Sequence, residues 1–210
     1  MPFSFAEVES RYKAHQYDAG KRVFDLVVSI GLLLCLAPVI AATALAVAFS
    51  SGRPVIFSQL RLTKGGRVFT MYKFRSMRQD AEAGTGAVWA QINDPRVTRI
   101  GHFLRVTRLD ELPQLINVIQ GDMSMIGPRP ERPEIAEELA KELPSFHRRL
   151  EVKAGLTGLA QVNKGYASCI DSYRRKLALD LLYIKKRSFL LDLYISFRTV
   201  LVILTGSGAR

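Results

Sequence analysis

From Leu26 to Gly52 no residue is charged, and this 27-residue run is dense in Leu, Val, Ile and Ala. A run of that length and composition predicts a membrane-embedded helix. Pro38 divides it into halves of about 12 and 14 residues; at about 1.5 Å per residue each half reaches only about 18 to 21 Å into a hydrocarbon core about 30 Å thick. A proline inside a helix removes a backbone hydrogen bond, so the run predicts either a kinked spanning helix or a helix-break-helix that enters and returns. Arg11, Lys13, Lys21 and Arg22 precede it, and Arg53, Arg61, Lys64, Arg67 and Lys73 follow. Basic flanks on both sides favour two ends on the same, cytoplasmic face. A cleaved signal peptide, suggested by Ala46-Val47-Ala48, fits poorly with the long stretch before Lys21 and the overlong apolar core.

Beyond this run the period shortens. Pro54 to Leu62 and Val68 to Arg75 read as strands around the turn Thr63-Lys64-Gly65-Gly66, a β-hairpin. Alternation puts Lys73 and Arg75 on one face, where the pair either cradles phosphate or is simply solvated. Gly65-Gly66 lacks P-loop spacing and reads as turn chemistry. Gln79 to Pro95, with Gly84, Gly86 and Asn93-Asp94-Pro95, predicts a long loop of the kind that often carries function. A short helix from Glu131 to Glu142 bears Glu134, Glu137, Glu138 and Glu142, which read as a solvated face before they read as a metal site. In the last forty residues basic triplets alternate with apolar stretches: Arg174-Arg175-Lys176, Leu177 to Ile184, Lys185-Lys186-Arg187, Ser188 to Leu204. These are either interfacial amphipathic helices or helices packed into an ordinary core.

Composition changes this picture in two ways. A chain of 210 residues that is 48% hydrophobic can fill one domain core but not two. Its 30 Lys and Arg against 19 Asp and Glu, a formal charge of +11, call for an acidic partner. Cys35 and Cys169 make no disulfide framework, and His15, His102 and His147 show no metal spacing. That points to a reducing compartment and no structural transition metal.

The densest polar constellation runs from Arg96 to Gln114 and sets Asp110 and Glu111 among Arg96, Arg99, Arg105 and Arg108. Pro113 is tolerated only in the first turn of the helix suggested by Leu115, Ile116, Val118 and Ile119, so Asp110 belongs at or just before a helix N-terminus. The dipole there keeps Asp110 ionised and attracts phosphate. An ionised aspartate beside phosphate suggests nucleophilic attack on phosphorus, with magnesium held by Asp110, Glu111 and phosphate oxygens to offset the repulsion. An N-capping Asp followed by a helix-dipole Glu is the alternative. Pro128 and Pro130 stiffen the backbone around Arg129 and present one guanidinium. Ala154 to Val162 supplies Gly155 and Gly158, where a backbone can approach something closely.

In this order the motifs resemble the bacterial sugar transferases known as monotopic phosphoglycosyl transferases. The resemblance rests on the apolar segment with its central proline, KFRSM at Lys73 to Met77, TRLDELPQLINVIQGDMSMIGPRP from Thr107 to Pro130, GLTGLAQV from Gly155 to Val162 and LALDLLYI from Leu177 to Ile184. It covers about Lys21 to Leu204. It implies transfer of a phospho-sugar from a UDP-sugar to a polyprenol phosphate of the undecaprenyl type at the cytoplasmic face of a bacterial inner membrane, initiating polysaccharide biosynthesis. It also implies Asp110 as a nucleophile that expels UMP and carries an aspartyl phospho-sugar, and Glu111 as a partner in catalysis and in holding Mg2+. Lys73, Arg75 and Arg105 would bind phosphate, Arg129 between Pro128 and Pro130 the nucleotide, and Asp180 would support the site. Three departures stand out. Ala37-Pro38 replaces the common Ser-Pro, Lys153-Ala154-Gly155 replaces Arg-Pro-Gly, and Lys164 falls near a position that is often arginine. Longer relatives carry further transmembrane helices and an N-terminal domain, so this chain reads as the minimal catalytic form.

The fold class expected is α+β and mainly helical. Residues 1–20 form a surface segment, 21–53 a re-entrant membrane helix broken at Pro38, and 54–210 a cytosol-facing catalytic domain with a small β-hairpin and amphipathic interfacial helices. Partners expected are a UDP-sugar, a polyprenol phosphate and membrane lipid, with no nucleic acid; the oligomeric state, a homodimer included, stays open. The charge alone also admits a membrane-anchored nucleic-acid-binding protein, although no recognition module is evident, and the motifs admit a noncatalytic scaffold for glycan enzymes.

Overall fold

The computed structural model describes residues 5–81, 94–163 and 170–205, with side chains from residue 17 onward. The chain is mainly helical, with two small pairs of strands. Helices α1 (Phe5–Cys35) and α2 (Ala37–Ser51) meet at Leu36, and Pro38 sits in the first turn of α2. Proline has no N–H to donate back to Leu34, so α1 stops and α2 restarts in a new direction, bent by 63°. Among the described residues no single helix is long and apolar enough to cross a membrane; this bent pair meets the length and composition only together. Helix α1 also runs unbroken through residues 20 and 21.

Strands β1 (Ile56–Leu62) and β2 (Val68–Phe74) pair antiparallel, from Ile56 opposite Phe74 to Leu62 opposite Val68. Gly65 and Gly66 turn the chain at φ 72° and 76°, a region that glycine enters without steric cost. A second pair was not foreseen: β3 (Met123–Ile126) and β4 (Ala154–Thr157) run parallel. All four residues of β3 are buried, so it shows no alternation, and four residues are too few for a periodic signal. Its partner is the glycine stretch. A Cβ on Gly155 would lie 2.1 Å from the Gly127 nitrogen, so what the glycines admit is the other half of the same fold.

The main core joins Phe69 and Met71 of β2, Leu115 and Val118 of α4 (Gln114–Gln120), Met123 and Ile126 of β3, Tyr183 of α7 (Ile170–Lys186) and Ile195 of α8 (Phe189–Thr205). Helix α5 (Pro133–Glu142) buries Ile135 and Leu139 against Phe146, Tyr173 and Leu177, leaving Glu134, Glu137, Glu138 and Glu142 exposed as a solvated face. The two helices of the C-terminal stretch differ. Helix α7 packs into the core through Tyr173, Leu177, Asp180 and Tyr183, whereas α8 leaves Leu190, Leu193, Phe197 and Leu204 more than 60% exposed. Most of the expected loop from Gln79 to Pro95 lies outside the described residues, as do Lys164 and Cys169.

Polar contacts fasten both ends of the bent pair to this body. At the first end, the Lys21 ammonium pairs with Asp25 and donates to Ser124 Oγ at 2.7 Å, while Asp25 accepts from the Met125 N–H at 3.1 Å. Arg22 donates to the carbonyls of Val118 and Ile119 at the end of α4, at 2.6 and 2.8 Å. At the other end, the buried Arg75 guanidinium donates to the carbonyls of Ser51, Gly52 and Arg53. Those carbonyls have no helical partner of their own, and the cation also complements the dipole of α2.

Candidate active site

Asp110 and Glu111 lie on a single 3-10 turn, Leu109–Glu111, between α3 (Arg99–Thr107) and α4. The turn opens on Arg108, whose φ of 60° is the one positive value among the described non-glycine residues. That conformation costs about 1–2 kcal/mol and ends α3 before the turn that carries the acid pair. Leu112 and Pro113 keep helical angles into α4, so the two carboxylates precede its first turn, as the proline spacing requires.

The two acids have opposite surroundings. Glu111 Oε1 accepts from Arg129 at 2.7 Å and from Lys73 at 3.2 Å. Asp110 is 6% exposed, and its Oδ1 is buried without a hydrogen bond. Burial raises the Asp110 carboxyl above the ordinary carboxylate range; Lys73 opposes that shift, Glu111 adds to it, and Arg105 and Arg129 reduce it. For Glu111 burial acts in the same upward direction, but Arg129 and Lys73 outweigh it and hold the carboxyl well below its usual range. Burial lowers Lys73, with Glu111 working against the shift. The result is one carboxylate locked in ion pairs and one held at higher energy with an unused acceptor.

Arg105, in the last turn of α3, donates from Nε to Ser76 Oγ at 3.0 Å and places its charge near Asp110. Helix α3 comes that close because Gly101 lies against Ser76; a Cβ there would sit 1.9 Å from the Ser76 carbonyl oxygen. Lys73, Arg105, Asp110, Glu111 and Arg129 therefore converge. Arg75 does not join them, because its guanidinium is engaged at the end of α2. Pro128 and Pro130 flank Arg129 in an irregular stretch between β3 and α5. Asp180 is 2% exposed and reaches the site through an intermediary: it accepts from Arg149 Nε at 2.7 Å, and Arg149 donates to the Arg129 carbonyl at 2.9 Å.

Two contributors escaped the sequence reading. Asn117 is fully buried, donates to the Thr70 carbonyl at 2.8 Å and accepts from the Tyr72 N–H at 3.1 Å, standing in for a third strand beside β2. An amide inside the apolar run Leu115 to Ile119 was its only signal. Arg149 gave none, since a cation in His147-Arg148-Arg149 reads as solvated surface.

The donor set fits magnesium only in part. Asp110 offers an unpaired buried oxygen and Glu111 a second carboxylate, but no group of three metal-ligating side chains occurs among the described residues, and Lys73 and Arg129 already occupy Glu111 Oε1. Such a pair suits an ion that arrives on phosphate oxygens.

Comparison with known proteins bears on this geometry. Residues 16–206 match the family model described as bacterial sugar transferase. The chain is 45% identical over 190 residues to the UDP-N-acetylgalactosamine-undecaprenyl-phosphate N-acetylgalactosaminephosphotransferase of Aeromonas hydrophila, covering 90% of this chain and 45% of that protein. It is 42% identical over 182 residues to the UDP-glucose:undecaprenyl-phosphate glucose-1-phosphate transferase of Escherichia coli, 86% of this chain and 39% of that one. The protein of the same name in Caulobacter vibrioides is 40% identical over 194 residues, 91% of this chain and 72% of its own length. The chain thus spans under half of the first two relatives.

Proposed function

Because the chain belongs to the bacterial sugar transferase family, we propose that it moves a sugar-1-phosphate from a UDP-sugar to undecaprenyl phosphate or a similar polyprenol phosphate. The observation that carries this reading is the contrast within the acid pair: Glu111 is neutralised by Lys73 and Arg129, while Asp110 is buried with an unpaired oxygen. A structural carboxylate satisfies its lone pairs; a nucleophile keeps one available.

In this mechanism an Asp110 carboxylate oxygen attacks the phosphorus that bears the sugar. A new P–O bond forms, the phosphoanhydride bond breaks, and UMP departs. Arg129 and Lys73, fixed by Glu111, neutralise the diphosphate as it enters, and Arg105 adds charge next to Asp110. The polyprenol phosphate then attacks the same phosphorus, the acyl-phosphate bond breaks, and Asp110 is regenerated. Asp110 and Glu111 would hold a magnesium ion that arrives with the substrate, and the ion would supply charge neutralisation to the bound diphosphate and the departing UMP.

The same reading places α1 and α2 in one leaflet, re-entrant at Leu36–Pro38, with the catalytic body on the cytoplasmic face. Its support is that Lys21 and Arg22 at one end, and Ser51 to Arg53 at the other, are tied to the same folded body. The exposed apolar residues of α8, and Phe103 and Val106 on α3, suit the interface.

The test uses purified protein, undecaprenyl phosphate vesicles and a panel of UDP-sugars that includes UDP-glucose and UDP-N-acetylgalactosamine. UMP and a polyprenol diphosphate sugar should appear in equal amounts with at least one donor and vanish with Asp110→Asn. Product formation undiminished in that variant overturns the reading.

A further inference from the structure

Residues 128–131, which carry Arg129, belong to no helix or strand, and every carbonyl in the stretch is held from outside. Pro128 O accepts from the Gly155 N–H at 2.9 Å, Arg129 O from Arg149 at 2.9 Å, Pro130 O from Arg61 at 3.2 Å and Glu131 O from the Leu62 N–H at 3.0 Å. Pro128 and Pro130 have no N–H, so at those positions the backbone is located by what it accepts. Two of the four donors are arginines, Arg149 buried and Arg61 half-buried, an expensive choice where a neutral group would serve equally well as a hydrogen-bond donor. Burial is the main cause that pulls Arg61 down to about 10, with Glu131 opposing and Arg129 adding to the shift. Arg149 is 5% exposed, lies 4.9 Å from the Phe146 ring, and is oriented by Asp180 through Nε at 2.7 Å.

We propose that Arg149, aimed by Asp180 and assisted by Arg61, is a positioning residue for the transfer reaction. By fixing the Arg129 carbonyl it sets where the Arg129 guanidinium meets Glu111, at 2.7 Å, and the incoming diphosphate. The planar fork is what allows one side chain to serve a carboxylate and a carbonyl in fixed directions, which a lysine ammonium does not reproduce. A displacement of Arg129 by about 1 Å is enough to cost on the order of 100-fold in rate. The proposal rests on reading this site as the UDP-sugar site.

The experiment is a double-mutant cycle on kcat/KM for UMP release, with thermal melting as a control for folding. Arg149→Lys should lower kcat/KM by about 10- to 100-fold while Arg129 is present, and cause no further loss in an Arg129→Ala background. The paired change Arg149→Met with Asp180→Leu removes both charges, while Glu131, which Arg149 also faces at 3.9 Å, keeps Lys176 at 2.7 Å, and should reproduce the pattern. Equal losses with and without Arg129, or no loss with it, overturn the positioning role. If Arg129→Ala releases UMP at the wild-type rate, the assignment of Arg129 to the substrate falls and takes the inference with it. If the wild type releases no UMP from any donor, the reading of the site fails first.

Discussion

Asp110, buried, and Glu111, partly buried, are adjacent in sequence, yet their surroundings push their carboxyls in opposite directions, and that split yields two predictions. Burial raises Asp110, so the folded state disfavours its ionised form and is weakened by it at neutral pH. Asp110→Asn is therefore expected to raise the melting temperature near pH 7 by on the order of a few degrees. The gain should shrink as pH falls through the raised Asp110 value, where the wild-type group takes up its proton. Differential scanning calorimetry from pH 4 to pH 8 reads this directly. Glu111 has the reverse sign: its depressed carboxyl stabilises the fold above the unfolded value, and the contribution is lost as pH falls below it. Glu111→Gln removes the carboxylate that Lys73 and Arg129 share and is expected to cost about 1.5–3 kcal/mol, measured by urea unfolding. At this scale the sequence made the acid pair and Arg129 legible through proline spacing, because proline restricts the backbone locally. Arg149 and the diversion of Arg75 to the end of α2 were illegible, because both depend on contacts between distant segments.

At the scale of elements, the site depends on α4, which follows the acid pair, keeping its height against β2, which carries Lys73. Asn117 bridges the two by satisfying one N–H and one C=O of β2. Asn117→Leu strands both groups and is expected to cost about 1–3 kcal/mol by urea unfolding. The same change should reduce UMP release further than the stability loss explains, because Lys73 moves relative to Glu111. Pro38 governs the other articulation. Pro38→Ala restores the missing donor and favours a straighter α1–α2 rod. In vesicles, cysteines introduced near Lys21 and Arg53 are expected to label from one face in wild type, and from opposite faces in at least a fraction of Pro38→Ala molecules. The break and the hairpin could be read in advance because both are marked by proline and glycine chemistry over short range. The parallel pair β3–β4 could not: each strand is four residues long, fully or largely buried, and joined to its partner across about 30 intervening positions.

At the scale of the whole molecule, six of the 30 Lys and Arg behind the +11 charge fall into two groups. Lys73, Arg105 and Arg129 surround the acid pair, while Lys21, Arg22 and Arg75 hold the apolar helices to the folded body. The near-neutral mean hydropathy hides this division, because it averages a bent apolar pair and the uncovered face of α8 with a polar site. Under the proposed function, such an arrangement would bring a nucleotide sugar and a membrane-resident acceptor to one carboxylate. The most direct test is intact-mass analysis after incubation with an active UDP-sugar and no lipid acceptor. The account predicts release of one UMP and a mass gain of one phospho-sugar, absent in Asp110→Asn and discharged when undecaprenyl phosphate is added. An unmodified mass under conditions where complete turnover proceeds would contradict the covalent role of Asp110.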